Sequence, residues 1–183
     1  MVQNNNKILI HACCGICSGY PIGLLKELGY EPVVYFYNPN LDTKEEYERR
    51  LKAQKTVCMY HWVELIEEEY NHNEFLDYVK GFENEPERGK RCDKCIELRL
   101  KKSFEKAREL GINKLTTSLV ISPHKNFEKI TQIGKSMSNG VEYIGIDFKK
   151  KDGFLKTNKL SKDLGLYRQN YCGCEFAKPI PKS

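Results

Sequence analysis

The sequence predicts an α/β fold, a doubly wound parallel sheet with a C-terminal tail folding back over the sheet's carboxyl edge. Five short apolar runs alternate with segments of helical periodicity, as in strands joined by crossover helices. Gly29 and Gly111 fall just past two of those helical segments, where helices stop. From Lys149 onward the alternation ceases and the chain ends in Pro-Ile-Pro-Lys-Ser, which sets the tail apart from the core.

Taken in order, the first strand is Lys7–His11, with Ile8, Leu9 and Ile10 apolar. The stretch His11-Ala12-Cys13-Cys14-Gly15-Ile16-Cys17-Ser18 follows, then a helix over Pro21–Leu28 with Ile22, Leu24, Leu25 and Leu28 on helical spacing. Pro32–Tyr37 reads as a strand, Thr43–Met59 as a helix, His61–Ile66 as a strand and Asn73–Val79 as a helix. Gly81–Arg91, with Pro86 and Gly89, predicts a loop that delivers Cys92 to a helix over Asp93–Leu110. Strands at Lys114–Leu119 and Val141–Ile146 flank a helix over Asn126–Ser138. The tail has a short helical pattern over Asn158–Leu164, then Tyr171-Cys172-Gly173-Cys174. A chain of 183 residues fits one domain, with 1–148 as the α/β core and 149–183 as the tail.

Composition excludes some functions. No apolar run reaches the length of a membrane span, and the first residues carry no signal-peptide pattern, so a cytoplasmic protein is expected. In that compartment thiols stay reduced, and clustered cysteines mean metal or redox chemistry more often than structural disulfides. The net charge of +5 is mild and permits a polyanionic partner without requiring one. The acidic run at Glu64, Glu67, Glu68 and Glu69 reads as a solvated face, while Lys149, Lys150 and Lys151 lie near the tail cysteines.

The eight cysteines fall into groups: Cys13, Cys14 and Cys17; Cys58; Cys92 and Cys95; Cys172 and Cys174. The first group sits in a loop after a strand, where open α/β sheets bind ligands, and beside a helix N-terminus that favours thiolate. Cys92 and Cys95 share one face of a helix start. Zinc and iron–sulfur clusters both take four thiolates, but the well-placed cysteines exceed four, and that surplus favours a redox site. Whether the adjacent Cys13 and Cys14 serve one centre or two stays open. Cys172 and Cys174 could hold a metal together or form a strained, reducible disulfide. Cys58, between Val57 and Met59, reads as a buried structural thiol. Asp93 suits a first helical turn, and could also be a ligand or proton donor. His11 reads as a satisfied strand-end histidine, His61 and His72 as structural or surface residues, and His124 as a pocket-lining one.

These motifs resemble the QueH type of epoxyqueuosine reductase. The stretch from His11 to Ser18 looks like that family's signature, with Ile16 where proline is usual. Tyr35 to Asn40 with Glu46-Tyr47 and Arg50, Arg91-Cys92-Asp93-Lys94-Cys95 with Leu98-Arg99-Leu100, and Thr116 to Leu119 with Ile121 to Asn126 also match. In the tail, Asp147 to Lys150 and Leu166 to Cys174 match. The resemblance implies a fold like the adenine nucleotide alpha hydrolases and the last step of queuosine formation, reduction of an epoxide on tRNA to an alkene with loss of water. It implies a 4Fe–4S cluster held by Cys13, Cys14, Cys92 and Cys95, and Cys172 and Cys174 as a redox-active couple. A second metal, a mononuclear iron or another ion, would draw on Cys17, Cys172 and Cys174. Asp93 or a bound water would protonate the leaving oxygen. The partners implied are tRNA carrying epoxyqueuosine and an electron donor that the sequence does not name, with no membrane. Lys149, Lys150, Lys151 and Arg168 are the expected phosphate contacts, and Tyr37 and Asn38 the expected base contacts. Two other readings are an ATP-dependent tRNA thiolase with a cluster, which would want a Gly-rich phosphate loop absent here, and a zinc-stabilised RNA-binding module.

Overall fold

The computed structural model describes residues 6–177, so the expected Pro-Ile-Pro-Lys-Ser end lies outside the described residues. The elements are β1 (Lys7–His11), α1 (Gly15–Glu27), β2 (Glu31–Phe36), α2 (Lys44–His61), β3 (Glu64–Glu67), α3 (His72–Tyr78), α4 (Lys90–Glu109), β4 (Lys114–Thr117), α5 (Phe127–Ser136), β5 (Glu142–Tyr143) and α6 (Gly153–Asp163). Single 3-10 turns occupy Ser118–Ile121 and Glu175–Ala177.

All strand pairings are parallel, in the order β3-β2-β1-β4-β5. In β1, Ile8, Leu9, Ile10 and His11 are each fully buried, which requires cover on both faces, as parallel central strands have. Helices α1, α2 and α6 pack together, as do α3, α4 and α5. β1 pairs with β2 from Lys7↔Glu31 to His11↔Tyr35, and with β4 from Leu9↔Leu115 to His11↔Thr117. The strand order reverses between β1 and β4, so their carboxyl ends frame the crevice where such sheets take ligands. No helix among the described residues is long and apolar enough to cross a membrane.

The sheet is the expected one, and the differences are local. α1 begins at Gly15, well before the expected Pro21, because Cys14 caps it: the Cys17 N–H donates to Cys14 Sγ at 3.4 Å. Pro21 sits inside that helix, where it removes only the bond to the Cys17 carbonyl. α4 begins at Lys90, so Cys92 lies in its first turn and not in the preceding loop. Arg91 anchors that loop by donating to the carbonyls of Glu83, at 2.9 Å, and Glu85. β3 starts late because α2 runs through His61 and closes on Trp62 in the left-handed region. β4 stops at Thr117, whose hydroxyl accepts from Leu119 N–H and turns the chain into the 3-10 segment. The tail is more built than expected. α6 lies on α1, with the Thr157 hydroxyl donating to the Ile16 carbonyl at 2.5 Å.

Candidate metal centre

The capping role of Cys14 decides the geometry of the first cysteine group. With α1 starting at Gly15, Cys17 comes round one turn and rejoins the loop. The Sγ atoms of Cys13, Cys14 and Cys17 all lie within 4.8 Å of one another, and Cys13 Sγ is 3.9 Å from Cys14 Sγ. Among the described residues this is the one group of three or more potential ligands so close together. All eight cysteines are free thiols. Three soft sulfur donors facing one another suit a thiophilic metal or an iron–sulfur cluster.

The three thiols share their protons. Hydrogen bonds from the Cys14 and Cys17 thiols hold Cys13 well below the usual thiol range. The same bonds push Cys14 up to about 12 and Cys17 well above its ordinary value. Cys13 is thus the first thiolate. Cys14 Sγ accepts from Cys17 N–H and from the Gln169 amide, at 3.0 Å, and these donors suit it to carry charge once a metal displaces its proton.

The trio opens into a cavity of about 680 Å3, large enough for a nucleoside, at the carboxyl ends of β1 and β4. Cys13, Cys17, Cys92 and Cys172 line it, with Asn38, Arg50, Arg99, His124, Lys125, Phe154, Arg168, Gln169 and Tyr171 among others. Of the six charged lining residues, Arg50, Arg88, Arg99, Lys125 and Arg168 are cationic and Glu87 alone is anionic. Arg99 is fully buried on α4, with Nε donating to the Cys95 carbonyl at 3.4 Å and no partner for Nη2. Burial works against its charge, but Cys95, Cys172 and Cys13 more than offset that. Lys125 donates to Cys172 Sγ at 3.5 Å, and that sulfur keeps its ammonium charged against burial.

Arg50 ties the tail down. Its Nε donates to Glu46 Oε1 at 2.7 Å, and its two Nη groups donate to the carbonyls of Cys172 (2.9 Å) and Tyr171 (3.1 Å). The Tyr167 hydroxyl donates to Glu46 Oε2 and the Tyr171 hydroxyl to Asp42 Oδ1, each at 2.8 Å. Gly173 takes φ +119, and a side chain there would overlap Leu41.

Several expected roles are placed differently. Cys17, expected at a second metal, stands with Cys13 and Cys14, while among the described residues Cys92 and Cys95 join no group of three within that distance. Cys172 lines the cavity, but Cys174 is buried in the core, its thiol pushed up to about 12 by burial. Asp93 faces α5 and pairs with Lys129 at 2.7 Å; it does not line the cavity, and acting as an acid would require that pair to open. Lys149 donates to the carbonyls of Val120 (3.1 Å) and Lys125 (3.2 Å), so its ammonium already has two acceptors within the protein. Lys150 and Lys151 are exposed. Arg168 lines the cavity, held by Ser161 Oγ and Asn158 Oδ1. Tyr37 is buried against Tyr35 and offers no face to a base, whereas Asn38 lines the cavity. His11 and Cys58 are the buried structural groups expected. His61 lies away from the cavity and donates its Nε2–H to the Gly19 carbonyl, and His72 donates its Nδ1–H to the Pro39 carbonyl. Arg99, Lys125 and Gln169 were given no role from sequence. All three fall in stretches that resemble the family, and Arg99 has a further signal, a charge four residues from Cys95 on an apolar helical face.

The family model described as "Epoxyqueuosine reductase QueH" matches residues 8–179. A relative of that name from Streptococcus pyogenes is 38% identical over 179 residues, covering 93% of this chain and 70% of its own length. One from Staphylococcus epidermidis is 37% identical, covering 93% and 76%. One from Helicobacter pylori is 38% identical over 96% of this chain, which spans half of that relative. Among solved structures, the U34-tRNA thiolase NcsA from Methanococcus maripaludis with its [4Fe-4S] cluster aligns with TM-score 0.61. It is 17% identical, over 97% of this chain and 63% of its own, and so attests the shared α/β fold.

Proposed function

The chain belongs to the epoxyqueuosine reductase QueH family, and from that premise we propose how its cysteine-lined cavity carries the reaction. It is an oxidoreductase that acts on tRNA in queuosine formation. The epoxide of epoxyqueuosine becomes the alkene of queuosine: two C–O bonds break, two electrons and two protons enter, and the oxygen leaves as water.

The observation that carries our reading is the thiol trio, Cys13, Cys14 and Cys17, within 4.8 Å. We read it as three ligands of a 4Fe–4S cluster, a group that supplies electrons one at a time. Cys92, Cys95 and Cys172 are the candidates for a fourth ligand or for a second, mononuclear iron or other metal ion. Cys172 and Cys174 remain proposed as redox groups, with Cys172 the one that meets the cavity.

The chain's own residues prepare the site. Arg50 and Gly173 hold the Tyr171–Cys172 backbone over the cavity. Arg99 and Lys125 bring positive charge to the thiolates, which favours their deprotonated, ligating form. The predominance of cationic lining residues suits a substrate carried on a polyanion. Water-excluding walls come from Leu41, Leu119, Ile121 and Phe176. Protons for the oxygen come from proton-bearing groups in the cavity, among them Lys125 and His124, or from Asp93 once freed from Lys129. We place the reaction in the cytoplasm, with an external electron donor.

Anaerobic purification tests this. The protein should be brown, carry iron and acid-labile sulfide, and with dithionite convert epoxyqueuosine-tRNA to queuosine-tRNA, read by mass spectrometry of the nucleosides. A colourless protein with stoichiometric zinc and no conversion would overturn the cluster reading in favour of a zinc-stabilised module.

A further inference from the structure

Aromatic side chains inside a cavity are normally packed against something. Tyr171 donates its hydroxyl to Asp42, and its ring carries the Arg50 guanidinium at 5.5 Å. Phe176 carries the Arg91 guanidinium at 4.7 Å and packs against Phe75. Phe154 is the third aromatic lining the cavity, and among the described residues it has neither ring nor cation partner. It is 40% exposed, an unusual setting for phenylalanine.

Its position is built at a cost. Lys151 and Asp152, immediately before α6, both lie in the left-handed region, at φ 55° and 60°. Two consecutive non-glycine residues there are strained, and such strain persists only where surrounding structure enforces it. Gly153 follows, with its N–H donated to the carbonyls of Lys149 and Lys150 and with no room for a side chain against the Phe148 carbonyl and the Tyr20 ring. Lys149 pins the turn to the cavity wall through the Val120 and Lys125 carbonyls. α6 is fixed from behind by Thr157 on Ile16. The turn thus holds Phe154 at the cavity lip and leaves Lys150 and Lys151 in solvent beside it.

We propose that this turn is a nucleotide clamp: Phe154 is the platform on which a base of the RNA substrate stacks, with Lys150 and Lys151 on the adjoining phosphates. It rests on the reading of the cavity as the tRNA site. An unstacked RNA base presents a flat face, and proteins that bind such bases do so by stacking on aromatic rings flanked by cations. The excess of cations over the single lining carboxylate supplies the matching charge.

The test is binding of a fluorescent tRNA anticodon stem–loop to the anaerobically purified protein, by anisotropy across a salt series. Phe154→Ala should weaken binding about 10-fold or more, as loss of a stacked base does, with no change in salt slope or melting temperature. Phe154→Trp should bind as tightly as the unaltered protein or tighter, and Phe154→Leu should resemble the alanine variant, since bulk without a π-face does not stack. Lys150→Ala with Lys151→Ala should lower the slope of log affinity against log salt by roughly 1.4 to 1.8, two phosphate contacts' worth. Equal affinity of Phe154→Ala and the unaltered protein would overturn the clamp while leaving the tRNA site standing. No binding by the unaltered protein would overturn the tRNA site itself.

Discussion

At the residue scale, one capping contact decides which sulfurs meet. Were α1 to begin at Pro21, Cys17 would belong to a loop and its direction would be free. Because Cys14 caps the helix at Gly15, Cys17 is placed one turn along and within 4.8 Å of its two partners. That makes it a ligand candidate equal to Cys13 and Cys14. Replacing any one of the three with alanine should therefore remove most bound iron, measured with acid-labile sulfide on anaerobic protein. Cys58 supplies the contrast. It is buried on α2, its thiol pushed up to about 11 by burial and contacted by the Gln54 amide at 3.4 Å. Cys58→Ala should keep full iron at some loss of stability. If Cys17→Ala keeps its iron while Cys92→Ala and Cys95→Ala lose theirs, the cluster belongs to the α4 pair and the trio reading is wrong.

At the scale of elements, hydrophobic periodicity was a good guide to the sheet and a poor one to the site. Ile8, Leu9 and Ile10 could hardly be other than a buried strand, and Ile22 and Leu25 a helix face, while Leu28 is the exposed C-cap of that helix. The start of α1 was hidden because its cap is a sulfur, outside the usual Ser, Thr, Asp and Asn signals, and because Pro21 looks like a helix start. The direction of Asp93 was hidden because it depends on where α5 packs. The anchoring of the tail was hidden because Arg50 and Cys172 are far apart in sequence and meet only through tertiary structure. That anchor is testable. Gly173→Ala would force a side chain into Leu41 at φ +119, and should cost about 1 to 3 kcal/mol. Arg50→Met would leave buried Glu46 without its cation, with the Tyr167 hydroxyl alone, at about 3 to 5 kcal/mol. Both variants should alkylate faster at Cys172 in the metal-free protein, read by peptide mass spectrometry, with Arg50→Lys intermediate. Alkylation unchanged in both would mean that the other tail contacts, Tyr171 on Asp42 and Gln169 on Cys14 among them, suffice to cover Cys172.

At the scale of the whole molecule, His11 joins the three central strands where the crevice opens. It ends β1, its Nε2–H donates to the Tyr37 carbonyl beyond β2 at 3.0 Å, and its Nδ1 accepts from the Thr117 hydroxyl of β4 at 3.0 Å. The carbonyl can only accept, so this tautomer follows for the neutral ring. Burial, helped by the charge on Arg99, lowers the ring's pKa to about 4, against 6.5 in the unfolded chain. The folded state therefore binds fewer protons than the unfolded state between those values. Stability from this group is fully present above pH 6.5 and is lost as the pH falls toward 4, and the lost amount is about 3 kcal/mol. Urea denaturation of the metal-free, reduced protein should show that decline. The carboxylates titrate over part of the same range, so the informative quantity is the difference between the unaltered protein and His11→Asn. Asparagine can also donate to the Tyr37 carbonyl and has nothing to titrate, so the difference in unfolding free energy should shrink by about 3 kcal/mol on going from pH 7 to pH 4. A constant difference across that range would mean that the ring titrates alike in the folded and unfolded chain, and a difference that grew as the pH fell would mean that the fold holds the imidazole charged; either would overturn the neutral, buried His11.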